Sequence, residues 1–315
     1  NSEKNELNRE QKLYPASVNA VGGIKWGYIS NLGRFILSPI YDSAREFENN
    51  GIAEVTINNK SGLIDRKGNY IVRPQYDNIG GFYEGIAIAY GSDGKSYAIN
   101  EKGQVIFKSD NFIGNFQEGR AVISVNLKDK IVYGFIDKTG KIVIPAKYMS
   151  ANNFRNGKAL VQIADNRYAL INISGQVIQN YGFAYMFGDL SEGLLAFKES
   201  NEGSFGFVDE KGNIVIKPKF SSVENFKNGV AVVNASKDYT SKYGLIDKKG
   251  NYIIQPIYND IQQLEEGMIA IGNAIDKEKP LNGSKYALAN IKGKILTEAL
   301  YYGISQYNKG IASAY

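Results

Sequence analysis

One pattern is written about eight times along this 315-residue chain, and that periodicity limits the possible folds more than any other feature. Its clearest form is aromatic-Gly-apolar-Ile-Asp-x-x-Gly, a short apolar run, Pro-x-Tyr, and Phe-x-x-Gly-apolar-Ala. One copy carries Tyr133, Gly134, Phe135, Ile136, Asp137, Gly140, Pro145, Tyr148, Phe154, Gly157 and Ala159. Another carries Phe205, Gly206, Phe207, Val208, Asp209, Gly212, Pro218, Phe220, Phe226, Gly229 and Ala231. Units of fixed length that share a continuous core predict one stacked array, whatever the domain count suggested by length.

Three rows of small residues set the register. The first is the Gly of the aromatic-Gly pair (Gly27, Gly62, Gly134, Gly206, Gly244), replaced by Ala98, Ala169 and Ala287 in the other three copies. The second closes the Asp-x-x-Gly turn and recurs at Gly33, Gly68, Gly103, Gly140, Gly175, Gly212, Gly250 and Gly293, in steps of 35 to 43 residues. The third, from Gly51 to Gly310, precedes the apolar-Ala strand. Rows that are always Gly predict a positive φ, whereas a row that accepts Ala predicts only close approach of another chain segment.

Each copy reads as short strands. One is an Ala strand such as Val230-Ala231-Val232-Val233, and the next starts at the aromatic-Gly pair. An Asx-opened tight turn leads into the apolar run, and the Pro-x-Tyr segment is expected to lie at an edge. Copies three, five and eight depart together. They have Ala for Gly, Asn for the turn Asp (Asn100, Asn172, Asn290) and no Pro, with an aromatic (Phe112, Phe183, Tyr301) at or beside the usual place. The joint departure predicts that carboxylate, small residue and Pro segment meet in space.

Composition narrows the chemistry. Neither Cys nor His occurs, which excludes thiolate and imidazole metal sites and His-dependent nucleophiles. The 37 basic and 32 acidic residues are interspersed without a Lys/Arg block, so no nucleic-acid partner is expected. No apolar stretch approaches membrane-spanning length. Residues 1–14 are polar and read as a stalk or linker, left where a leader was removed or at a trimmed terminus. Residues 15–315 then form a single repeat array.

Lys25-Trp26-Gly27-Tyr28-Ile29, with the turn and strands that follow, resembles the WG (KWG) repeat family over roughly residues 20–315. Trp occurs once; Tyr, Phe or Ser61 takes its place elsewhere. The resemblance implies a bacterial envelope-associated β-repeat protein, often a lipoprotein, with no catalytic residues to carry over. The expectation is an all-β chain of about eight tandem repeats, in which a propeller-like toroid is favoured over an open β-superhelix. Closure would use Gly310–Tyr315 to complete the first unit, although Pro15–Asn19 could fill the same place.

Three sets of residues are candidates for function. Asp65, Asp137, Asp209 and Asp247 lack the clustered oxygen ligands that calcium needs, so they read as turn residues. Tyr41, Tyr76, Tyr148 and Tyr258 could stack on sugars or peptides but read first as core between repeats. The loops after the Ala strands run from the minimal Asn58-Asn59-Lys60 to the long, charged stretch 272–284, and insertions at one point of a repeat fall on one face. The expected function is a non-enzymatic binding or scaffold module at the cell envelope, with no cofactor or metal. Its partner would be a protein, peptide or glycan, with a lipid anchor possible upstream. The alternatives are a carboxylate-dependent glycan hydrolase, which would need two acids converging in one pocket, and a purely structural spacer.

Overall fold

The structure, a computed structural model, describes residues 12–237, 240–305 and 314. The described residues form eight antiparallel sheets in chain order, and helix is confined to two three-residue 3-10 turns. No helix among them is long and apolar enough to cross a membrane. Two compact units divide the chain at Lys147/Tyr148. Sheets one to four fall before the boundary apart from the last residue of the fourth, and sheets five to eight follow.

The second sheet shows the plan. Ser43–Ala44 is a two-residue edge strand, followed by the Ala strand Ile52–Ile57, the aromatic-Gly strand Lys60–Asp65 and the Pro strand Tyr70–Tyr76. The apolar run and Pro-x-Tyr are therefore one strand, and Pro74 sits on the outer edge where a missing N–H costs no ladder bond. In the first sheet Tyr14–Ala20 occupies the Ala-strand place and pairs with Gly23–Ile29. Leu13, just before it, is buried. Of Gly310–Tyr315 only Ala314 is described, bridged to Ile304, and the rest lies outside the described residues.

Both faces of an Ala strand are buried where its sheet is sandwiched between two others of the same unit. In the first unit, Ala87 and Ala89 pack with Leu63, Val72 and Tyr76 of the preceding sheet. Ile86 and Ile88, pointing the other way, pack with Phe116, Ile123 and Ile136 of the following one. The second unit repeats the arrangement: Ala231 and Val233 face Phe207 and Phe220, whereas Val230 and Val232 face Ile269 and Ile271. Continuous apolar runs are the signature of strands covered on both sides, and here each run serves two cores.

The joint departure of copies three and five has a geometric cause. In the Gly copies the pairing jumps. Ser61 pairs with Tyr76 and Leu63 with Val72, so two residues of one strand oppose four of the other. The same jump occurs at Trp26/Tyr28, Phe205/Phe207 and Tyr243/Leu245. The extra residues, Pro among them, press backbone onto the glycine. A Cβ on Gly62 would lie 2.6 Å from the Val72 carbonyl oxygen and 2.7 Å from the Pro74 nitrogen. Gly62 has no positive φ, so its requirement is space alone.

In copies three and five the outer strands, Val105–Ser109 and Val177–Tyr181, have five residues instead of seven. They keep only the one-residue shift that the Gly copies also show, at Ala98/Ile99 and Leu170/Ile171, and lack the larger jump, which leaves room for a side chain at the glycine place. That place is held by Ala169 in copy five, but in copy three by Tyr97 and not Ala98, which stands where Leu63 does. Two deleted residues thus explain both the lost Pro and the permitted side chain. They also correct one assignment. The strand-end aromatic of copy five is Tyr181, paired with Tyr168, and not Phe183.

The carboxylate is not part of that contact. Asp65 closes its own turn: its Oδ1 accepts the amides of Lys67 (2.8 Å) and Asn69 (2.9 Å), and its Oδ2 accepts the Asn69 side chain. Asp209 and Asp247 do the same with Asn213 and Asn251. Asn100 and Asn172 accept the same backbone amides but donate their own amide to Gln104 and Gln176. In these five turns the Asp/Asn choice follows the residue four places on, Asn after Asp and Gln after Asn, whereas Asp137 and Asn290 have Lys141 and Lys294 there.

Burial opposes ionisation of Asp65, Asp209 and Asp247, but these hydrogen bonds outweigh it and hold all three below the usual carboxylate range. A folded-state value below the unfolded one gives stability that is complete above about pH 4 and is lost as pH falls through the lowered values. The D65N/D209N/D247N variant should therefore lose less Tm than wild type between pH 7 and pH 2.5. Parallel Tm curves would show that these carboxylates contribute nothing to acid sensitivity.

Candidate functional site

The two ends of the sheets differ in chemistry. At one end lie the Asx turns and the third-row turns. Most third-row turns are two-residue hairpin loops with both residues at positive φ, such as Glu84 (φ 52°) and Gly85 (φ 81°). Here neighbouring repeats are tied together. The Glu84 carboxylate accepts the Gly119 amide at 2.9 Å and pairs with Lys138 at 3.1 Å. Glu192 accepts the Gly229 amide in the same way, and Glu48 accepts the Phe82 amide at 3.1 Å.

A 260 Å³ pocket near this end gathers Glu46, Glu48 and Glu54, the kind of convergence a hydrolase would require. Glu54, however, pairs with Arg45 at 2.8 Å and accepts the Ser61 hydroxyl at 2.6 Å and the Ile79 amide at 3.3 Å. Glu48 is held by the next repeat. Glu48 and Glu54 thus link adjacent repeats, and their carboxylates are already engaged. Among the described residues no group of three or more acids could hold a metal ion.

Tyr41, Tyr76 and Tyr148 are buried and Tyr258 is half-buried, so the tyrosine row is placed between sheets and not on a surface. Asp65, Asp209 and Asp247 stand on separate turns, as does Asp137, which accepts the Thr139 hydroxyl.

The opposite end carries the loops between Ala strand and aromatic-Gly strand. Most are tight: Asn58 and Asn59 form a two-residue turn with φ 51° and 59°. Ion pairs staple this end within the sheets. Lys25 meets Asp42, Lys60 meets Asp77, and Lys95 meets Asp110. Lys25 and the Asn58 amide hold the Asp42 carboxyl below its ordinary range, and Lys60 and Ser92 do the same for Asp77.

In the seventh and eighth copies the loops lengthen. Residues 240–242 and the stretch 275–283, with its 3-10 turn Pro280–Asn282, border a cleft of about 550 Å³. Its lining includes Lys242, Ile257, Asn259, Asn273, Lys277 and Pro280, and among the described residues no carboxylate. Asn259 fixes the longer loop by donating to the Pro280 carbonyl at 3.1 Å and to the Ser284 hydroxyl. Below it, Tyr286 donates to Asp260 at 2.6 Å; burial and then this bond push the phenol up to about 12. Of the three candidate sets in the sequence, only the long loop forms part of a cleft. Its second wall, residues 240–242, was missed. The signal was strand spacing: eight residues separate Asn234 from Tyr243, where the turn Asn58-Asn59 has two.

The family described as WG containing repeat matches residues 26–60, 62–95, 133–168, 205–235 and 243–272, just over half of the chain. The chain belongs to this family. No curated protein matches the WG repeat chain. Solved structures similar to it include BamB from Moraxella catarrhalis, at 12% identity over 84% of this chain and 85% of that one, with a TM-score of 0.47. Apo AztD from Citrobacter koseri is similar at 12% identity over 92% and 94%, with a TM-score of 0.44. The C-terminal WD40 domain of Sif2 is similar at 10% over 78% and 80%, with a TM-score of 0.46. Similarities at this level transfer neither ligand nor mechanism to the WG repeat chain.

Proposed function

We propose that this WG repeat chain is a non-catalytic binding module of the bacterial cell envelope, and that it takes a peptide or glycan ligand in the cleft between residues 240–242 and the 275–283 loop. One observation carries the proposal. In the seventh and eighth copies the loops at this end lengthen, and their described residues border a cleft of about 550 Å³. That volume lies within the range of about 300–1,000 Å³ typical of small-ligand sites. Apolar side chains with a few polar groups are the usual composition of such a site, and Ile257, Pro256 and Ala274 beside Asn273 and Ser241 supply it. The envelope assignment rests on the family resemblance. Against a hydrolase stands the engagement of Glu48 and Glu54 in bonds that join repeats.

A screen of oligosaccharides and short peptides by calorimetry tests this function. A ligand should bind wild type and lose at least tenfold in affinity to Ala274→Trp, which fills the cleft from a half-buried position. A ligand that binds both proteins equally places the site elsewhere, and turnover of a bound glycan overturns the non-catalytic assignment.

A further inference from the structure

The repeats provide an internal control for the charge of the cleft. In the first and second copies a Lys stands two residues before the aromatic-Gly glycine, and an Asp directly follows the strand-end tyrosine. Register makes the positions equivalent: Trp26 pairs with Tyr41 and Ser61 with Tyr76, which places Lys25 opposite Asp42 and Lys60 opposite Asp77. Both pairs close as ion pairs.

In the seventh copy Tyr243 pairs with Tyr258, so Lys242 takes the lysine place and Asn259 takes the place of the acid. The acid that neutralises this lysine elsewhere has become an amide, and its NH2 is spent on Pro280 and Ser284. The loop that Asn259 holds brings in a second cation, Lys277, on the lining of the same cleft. Neither ammonium has an ion-pair partner among the described residues.

The acids nearby are otherwise arranged. Asp276 turns its carboxylate onto the Glu278 amide at 2.9 Å, and Asp260 accepts from Tyr286 and Gln262. Glu278 is exposed on the loop, and none of the three lines the cleft. Arg167 of the fifth copy also lacks a facing acid, since Gly182 follows Tyr181. Its loop is only the two-residue turn at 165–166, so no wall rises beside it.

We infer that the cleft recognises a carboxylate on a small, partly apolar body, and that the ligand's carboxylate takes the place Asp42 and Asp77 hold in the other copies. Lys242 and Lys277 supply the charge, and the Asn273 amide and Ser241 hydroxyl supply hydrogen bonds. Ile257, Ala274 and Pro256 give the rest of the ligand an apolar surface. A charge-assisted bond of this kind is stronger than its neutral counterpart and weakens with salt. This inference deepens the cleft reading above and rests on it.

The test uses paired probes: an acetylated dipeptide with a free C-terminus and its C-terminal amide, and a glucuronic-acid disaccharide and its neutral glucose analogue. At least one acid probe should bind ten times or more tightly than its neutral partner. The pair that shows the preference tells a peptide terminus from a uronic acid. K242Q and K277Q, both at exposed positions, should each weaken that acid several-fold. Asn259→Asp should restore the internal acid and remove the preference, with folding checked by Tm. If Asn259→Asp unfolds the loop, the two Gln variants and the loss of affinity between 50 and 300 mM salt still decide the matter. Equal binding of acid and neutral probes, or no binding of either acid at millimolar concentration, overturns the carboxylate assignment. A neutral ligand that is displaced by Ala274→Trp would leave the cleft reading intact.

Discussion

Gly140→Val should be the most destabilising single substitution in the turns, and Ala169→Gly should hardly register beside it. Gly140 has φ +86°, a region that a β-branched residue enters only under strain. Holding a non-Gly residue there costs about 1–3 kcal/mol. A Cβ would also stand 2.6 Å from Cγ of Phe107, the root of a ring that packs edge-on against buried Phe116 at 6.5 Å. That ring cannot swing away without opening the core shared by sheets three and four, and overpacking of this kind adds about 1–3 kcal/mol. Ala169 lies in regular strand geometry, where Gly costs only about 0.5–1 kcal/mol in backbone entropy. Thermal or urea unfolding of both variants checks the difference, and equal losses would show that the two glycine rows do not differ in kind.

The second large effect is Gly62→Ala, together with its rescue. The added methyl meets the backbone of Val72 and Pro74 at 2.6 to 2.7 Å, and backbone yields less than a side chain. A loss at the upper end of about 1–3 kcal/mol is expected from a single carbon. Deleting Arg73 and Pro74 should recover most of it. The shortened strand would pair Leu63 with Val72, residue 62 with Gln75 and Ser61 with Tyr76, the pairing without the jump seen in copies three and five. The deletion alone should be harmful, because it leaves a void over glycine. A double variant no more stable than Gly62→Ala would refute the bulge as the reason that Gly and Pro occur together.

These two experiments mark what the residues disclosed before any coordinates. Gly at every second-row position, against Gly or Ala in the first row, foretold a conformational demand in one and a spatial demand in the other. The coupled departure of copies three and five was visible, but its cause was not. A two-residue deletion shows in sequence only as a shift in spacing, and Phe183 stood close enough to the expected place to hide it from Tyr181. The positive φ of Glu84 and Glu192 was also hidden, since Glu is an uncommon residue for that region. What recommends Glu there is the amide of the following repeat, Gly119 or Gly229, which its carboxylate accepts. That advantage exists only once sheets are stacked. At the cleft, the length of 272–284 pointed to the right loop. The change from Asp to Asn at 259 carried meaning only after strand register had set it beside Lys242.

The alternation along each Ala strand also bears on how such chains grow. In Ile86-Ala87-Ile88-Ala89 the alanines fit the sheet before and the isoleucines fit the sheet after. Val230-Ala231-Val232-Val233 divides its faces in the same way. One sheet therefore carries both halves of a joint, a front that matches the back of any copy of itself. A gene segment duplicated in frame supplies a ready partner for its neighbour on each side, with no new interface to invent. The same property frees individual copies to diverge at their loops, because the joint is written in the strands and is untouched when one loop lengthens into a wall.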